Sequence, residues 1–305
     1  SDLVTYTLTV DTNAVPAGKL VRCWLPYPRT DQARQRDVKF ISASEPDYVL
    51  SPQECRHSTL YMEKRAVQGE PTVFSETFEY TSCGEWHNLR AEDVLPYDTT
   101  TALYKEYTAE REKHIVFSPR LRELAAKLTA GETNPYLKAK RIFRWINDHF
   151  PWASAREYST IENIPEYVLD NRHGDCGQVS LLFITLCRIS GIPAHFQSGF
   201  MMHPRAWNLH DWAEVYFEGV GWVPVDQSFG IPAFARNADE EYFFLGGIDS
   251  WRMIVNTDYG MPLVPEKKYP RSETVDFQRG EVEWEGGNLY FPQWSYHMDI
   301  DYLNY

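Results

Sequence analysis

The chain has 305 residues, 43% hydrophobic and 24% charged, with a formal net charge of −13. That is an ordinary globular balance, long enough for two domains at roughly 100–200 residues each. So acidic a chain repels phosphate backbones, which argues against nucleic-acid binding, and no apolar run is long enough to span a bilayer.

Residues 1–112 read as an antiparallel β domain. Leu3 to Val10 is β-branched and aromatic, Leu20 to Leu25 follows a Pro-Ala-Gly turn, and Val38–Ile41 and Thr72–Tyr80 continue the pattern. The texture changes at Ser118-Pro119. Serine is a good N-cap and proline fits the first helical position, and Leu121, Leu124, Ala125 and Leu128 then recur at helical spacing. Asn134-Pro135 opens a second helix that stops before Pro151, and a third runs from about Cys176 to Ser190, ending at Gly191-Ile192-Pro193. Strand-like segments follow around 194–201, 209–217 and 221–226, and the tail from about 251 is strand-like and interrupted by prolines. The division expected is a β-rich domain over 1–112 and a second domain, with C-terminal strands, over 113–305. The densest basic residues, Arg120 to Arg144, read as solvated helix faces. The chain begins with Ser1 rather than Met, as after processing, and a periplasmic or secreted location is the expectation.

The five cysteines leave at least one thiol free, and no CxxC pair suggests a zinc site. Cys23, Cys55 and Cys83 lie in strand-like segments, as small buried hydrophobes or with two of them in a disulfide; the sequence leaves this open. Cys187 reads as a core residue. It cannot reach Cys176 along an intact helix, since eleven residues correspond to ~16 Å of rise.

Cys176 is different. Gly174-Asp175 leads straight into a helix with this cysteine in its first turn, where unpaired N–H groups and the helix dipole favour a thiolate, while Asp175 opposes one. A thiolate nucleophile needs a histidine, and the histidine an orienting acceptor. His210 and Asp226 lie in two strand-like segments joined by a turn at Glu218-Gly219-Val220. A hairpin centred on Glu218 would set them opposite one another on one face. A strict two-residue turn at Gly219-Val220 would separate them, so the reading requires an odd-length loop or a bulge. His173, His195 and His203 read as surface or satisfied histidines. A set of His173, His203 and His210 lacks the spacing of a metal site, so no metal is expected. Trp207, Trp212 and Trp222 either line a cleft or pack the sheet.

Four pieces in order resemble the transglutaminase-like superfamily, whose core is papain-like. They are Gly174-Asp175-Cys176 opening a helix, Ile189 to Ala194 ending it, His210-Asp211-Trp212-Ala213-Glu214-Val215, and Gly221-Trp222-Val223-Pro224-Val225-Asp226. The resemblance implies an α+β fold, helices packed on an antiparallel sheet after the β domain. It also implies Cys176 as nucleophile, His210 as general base and acid, and Asp226 as its orienter. Trp152 is the candidate to help hold the oxyanion, with a core aromatic as the alternative. Gln227 stands where the pattern usually has proline. No calcium loop or other cofactor is expected. The implied chemistry is acyl transfer at an amide or peptide bond of a protein, peptide or glycopeptide; hydrolysis is favoured over glutamine transamidation because nothing in the sequence marks a lysine-binding acceptor site. A non-catalytic binding module on the same fold is the rival. Oligomeric state is not legible.

Overall fold

A computed structural model describes residues 1–303. The fold is mixed α+β with antiparallel sheets, and the chain divides into two compact units, neither contiguous in sequence. The first takes Ser1–Cys83, Ser198–Leu209 and the chain from Trp251 on; the second takes Gly84–Gln197 and His210–Ser250. A linear cut at residue 112 therefore describes the sequence texture but not the packing, because the C-terminal strands pair with the N-terminal ones.

The first unit has two antiparallel sheets. β1 (Asp2–Val10), β3 (Gln35–Ala43), β6 (Thr72–Ser82) and β15 (Trp294–Tyr302) form one, in the order β15-β1-β6-β3. β2 (Leu20–Pro26), β4 (Val49–Leu50), β5 (Thr59–Arg65), β13 (Glu281–Trp284) and β14 (Gly287–Leu289) form the other, in the order β14-β13-β2-β5-β4. Burial alternates residue by residue along β1 and β6, as a half-buried strand requires. Val4, Tyr6, Leu8, Phe74 and Phe78 thus meet Val21, Cys23, Leu60, Met62 and Val282 in one core. That is the arrangement of a β-sandwich. Truncating a fully buried ring such as Phe74 to alanine removes about 3–5 kcal/mol of stability. The second half of β8 (Ala194–Met201) pairs with β12 (Arg252–Asn256) in this unit. The irregular stretch between β12 and β13 is tied down by charge. Glu281 accepts from the amides of Ser272 (3.0 Å) and Glu273 (2.8 Å), and Glu273 pairs with Arg279 at 2.6 Å. Cys23, Cys55 and Cys83 are all free thiols, so the disulfide left open by the sequence is not formed.

In the second unit the caps read from the sequence are in place. Ser118 Oγ accepts from the Leu121 amide (3.3 Å) at the start of α2 (Pro119–Leu128). Asn134 Oδ1 accepts from Tyr136 (3.0 Å) and Leu137 (3.2 Å) at the start of α3 (Pro135–His149). Three helices were not foreseen, the short one at Ala238–Glu241 among them. α1 (Ala102–Tyr107) forms inside the stretch that reads as strand, because Thr101 caps it. α4 (Ile164–Asn171) is capped by Asn163. α2, α3 and α4 all pack on α5 (Cys176–Ile189), which is buried from Gly177 to Arg188. A helix apolar on nearly every side has to sit centrally. β9 (Asn208–Phe217) and β10 (Gly221–Val225) form a hairpin, with the first half of β8 beside β9. The short β7 (Glu85–Trp86) and β11 (Gly247–Ile248) pair, and α6 (Ala238–Glu241) completes the unit.

Candidate active site

The N-terminus of α5 is built by a reciprocal cap. Asp175 Oδ1 accepts from the Gln178 amide and Gln178 Oε1 accepts from the Asp175 amide, each at 3.1 Å. This fixes Cys176 as the first helical residue, half-buried. Burial pushes its thiol well up, and Asp211, Asp175 and Asp226 push it further; the Asp211 backbone amide opposes them. The helix-terminus argument for a resting thiolate is therefore overridden by desolvation and three carboxylates. Instead the Sγ–H points to Asp211 Oδ2, at 3.6 Å.

His210 and Asp226 meet on the β9–β10 hairpin. Phe217 pairs with Gly221 and Ala213 with Val225, so the turn spans three residues and centres on Gly219, not Glu218. Gly219 and Gly221 adopt φ of +87° and +104°, conformations glycine reaches without strain. The odd loop keeps the required face parity. The shifted centre puts Asp226 level with Trp212, so its meeting with His210 is diagonal. His210 Nε2 lies 2.7 Å from Asp226 Oδ2, both buried. Donation to the carboxylate through Nε2 leaves Nδ1 as the basic nitrogen. The second carboxylate oxygen accepts from the Phe229 amide (3.0 Å) and Ser228 Oγ (3.2 Å). The Phe229 ring packs 4.9 Å from the imidazole. Asp175 interacts electrostatically with both His210 and Cys176, and Asp226 with Cys176, so the three sequence-predicted residues share one neighbourhood.

Trp152 backs onto the same segment. It bridges to Gly174, and the Ala153 amide donates to the Gly174 carbonyl at 3.1 Å. Its side chain is 63% exposed, so it is no core aromatic. With Asn147, Gly174, Gln227 and Ser228 it lines a depression of about 160 Å³. Gln227 is buried and donates to the Phe143 carbonyl at 3.0 Å, joining the strand end to α3. Trp212 packs the sheet, fully buried and bonded to Gln197 at 2.6 Å, while Trp222 lies against His195, whose imidazole pairs with Glu214 at 3.2 Å. Among the described residues no group of three or more His, Cys, Asp or Glu could hold a metal ion.

Sequence reading missed Tyr158 and the role of Asp211. The Tyr158 hydroxyl donates to Asp175 Oδ1 at 2.5 Å and lies 3.4 Å from Asp211 Oδ2. The available signal was Gly177, a glycine in the first turn of an otherwise well-formed helix. A Cβ there would sit 2.5 Å from both Asp211 Oδ2 and the Tyr158 hydroxyl.

Residues 122–227 match the family model of the transglutaminase-like superfamily. An uncharacterized protein of Haemophilus influenzae is 24% identical over 262 residues, 74% of this chain and 69% of its own length. A protein-glutamine gamma-glutamyltransferase of Pseudomonas aeruginosa is 23% identical over 125 residues, 37% of this chain. The chain spans 19% of the length of that relative. Among solved structures, that of a proposed cysteine protease from Cytophaga hutchinsonii superposes with a TM-score of 0.60 at 15% identity, over 100% of this chain and 91% of that one. At that identity the likeness is one of fold.

Proposed function

We propose that this chain, which carries a transglutaminase-like domain, is a cysteine-dependent enzyme that transfers or hydrolyses acyl groups at amide bonds. The observation that carries the reading is the buried His210–Asp226 pair, 2.7 Å apart, in the neighbourhood of a half-buried cysteine at a helix N-terminus. In this reading His210 Nδ1 takes the Cys176 proton as sulfur attacks the amide carbonyl. A general base at the moment of attack suits a sulfur whose thiol is pushed up by burial and neighbouring carboxylates. The Asp226 carboxylate stabilises the resulting imidazolium and fixes its tautomer. Backbone N–H groups at the start of α5, with Trp152 at the rim, receive the oxyanion. The imidazolium then protonates the leaving amine, the C–N bond breaks, and a thioester remains on Cys176. Water, deprotonated by His210, releases the acid and restores the thiol.

Hydrolysis is the favoured outcome, on a protein, peptide or glycopeptide. Transamidation shares every step but the last acceptor, and the γ-glutamyltransferase name of the Pseudomonas relative supports it as the second reading. One experiment separates these from a non-catalytic module. The protein is incubated with glutamine-containing peptides in hydroxylamine, with Cys176→Ser as control, and products are read by mass. Acid would mark hydrolysis, and hydroxamate in large excess over acid would mark acyl transfer to amines. Neither product from any amide tried, together with no acyl adduct on Cys176, would return the chain to the binding-module reading.

A further inference from the structure

We propose that Asp211 is a positioning residue that holds Cys176 as a thiol between turnovers. This rests on Cys176 being the nucleophile. The groups that face the sulfur are unevenly charged. Asp175 lies at the head of its own helix, Asp211 and His210 come from β9, and Asp226 follows β10. Asp211 makes the contact, with Oδ2 3.6 Å from Sγ, and the residue is 2% exposed. A carboxylate in that position accepts the S–H bond of the thiol and repels a thiolate, so both effects favour the protonated form.

The carboxylate is enclosed, away from solvent. Tyr158, from the turn Tyr158–Thr160, stands between Asp175 (2.5 Å) and Asp211 (3.4 Å), and Gly177 leaves room for both oxygens directly over the first turn of α5. A single phenolic hydrogen cannot serve two carboxylates at once, and the distances give it to Asp175. Asp211 Oδ2 accepts the cysteine S–H instead, at 3.6 Å. The consequence is chemical. Oxidation and alkylation require the thiolate, so a sulfur kept protonated is protected until a substrate carbonyl and His210 are both in position.

The test is the rate of Cys176 carbamidomethylation by iodoacetamide as a function of pH, read on the peptide that contains it, since other half-buried thiols are present. Asp211→Asn keeps the shape and removes the charge. Its profile should move to lower pH, with labelling at pH 7 faster by about three- to tenfold, the thiolate gained being partly offset by lower intrinsic nucleophilicity. A site merely loosened by the substitution would label faster at every pH with an unmoved midpoint, and that result would overturn the proposal, as would a midpoint moved upward. Asp211→Ser, with the same expected direction, decides the matter should the asparagine variant fail to fold. His210→Ala, run in parallel on peptide turnover, tests the triad separately. A shifted Asp211→Asn profile with His210→Ala fully active would sink the triad and leave the role of Asp211 standing. An unmoved Asp211→Asn profile with His210→Ala inactive would do the reverse.

Discussion

His210 Nε2 reaches Asp226 Oδ2 across 2.7 Å along a diagonal of the β9–β10 hairpin, and the same carboxylate holds the chain that follows it through the Phe229 amide. One buried group therefore orients the imidazole and anchors the next loop. Asp226→Asn should keep the loop contacts through its remaining oxygen but put an amide where the imidazole needs an acceptor. The imidazole would then rest in the wrong tautomer. Turnover on the best amide substrate should fall by about 10³–10⁴-fold. Circular dichroism and the melting curve should change little. A variant that keeps a tenth or more of its activity would mean that Asp226 does not act through His210.

That pair was legible in part. The even separation of residues 210 and 226 demanded an odd loop, and Gly219 and Gly221 supply one through their positive φ. The centre of the turn was not legible, because Glu218 and Gly219 are both acceptable at a loop tip, and only the strand register distinguishes them. Caps at Ser118 and Asn134 are local chemistry and could be read directly. The contact of Tyr158 with Asp211 joins residues 53 apart, and the pairing of β1 with β15 joins the two ends of the chain. Neither leaves a periodic trace in either segment. The surroundings of the Cys176 thiol were legible only in part, for a related reason. The helix terminus is visible in sequence, but the carboxylates from β9 and from the end of β10 come from other elements.

Trp152 gives a test that separates chemistry from folding. A side chain 63% exposed contributes little to the core, so Trp152→Ala should change stability by no more than about 0.5 kcal/mol. If its ring borders the reacting carbonyl, kcat/KM should nevertheless drop by at least about tenfold, with Trp152→Phe intermediate. Equal kinetics in all three proteins would remove Trp152 from the site.

Gly177 is held to glycine by the oxygens above it. An alanine Cβ would lie 2.5 Å from Asp211 Oδ2 and from the Tyr158 hydroxyl, closer than any real contact. Alanine gains up to about 1 kcal/mol of helix propensity, but overpacking costs about 1–3 kcal/mol. Gly177→Ala should therefore lower the melting temperature and shift the Cys176 alkylation profile as Asp211 is displaced. A variant as stable as wild type with an unchanged profile would mean that the two side chains yield at no cost.

Glu76 should make the sandwich unit sensitive to alkali. It lies on the inner face of β6 between Phe74 and Phe78, level with Tyr6, and is 1% exposed. Neither carboxyl oxygen has a hydrogen-bond partner among the described residues, and burial pushes the group well above the ordinary carboxylate range. The native state therefore keeps a proton that the unfolded chain loses near pH ~4.3. Through that interval the unfolded state binds fewer protons than the native one, so stability falls as pH rises and levels off only when the native carboxyl ionises. Glu76→Gln, neutral at every pH, should remove this contribution. Urea midpoints measured from pH 5 to 9 should decline more steeply for wild type than for the variant, with the difference growing as pH rises. Parallel curves would mean that the Glu76 carboxylate finds a partner or water in solution and that the group ionises in the native state near its ordinary pKa.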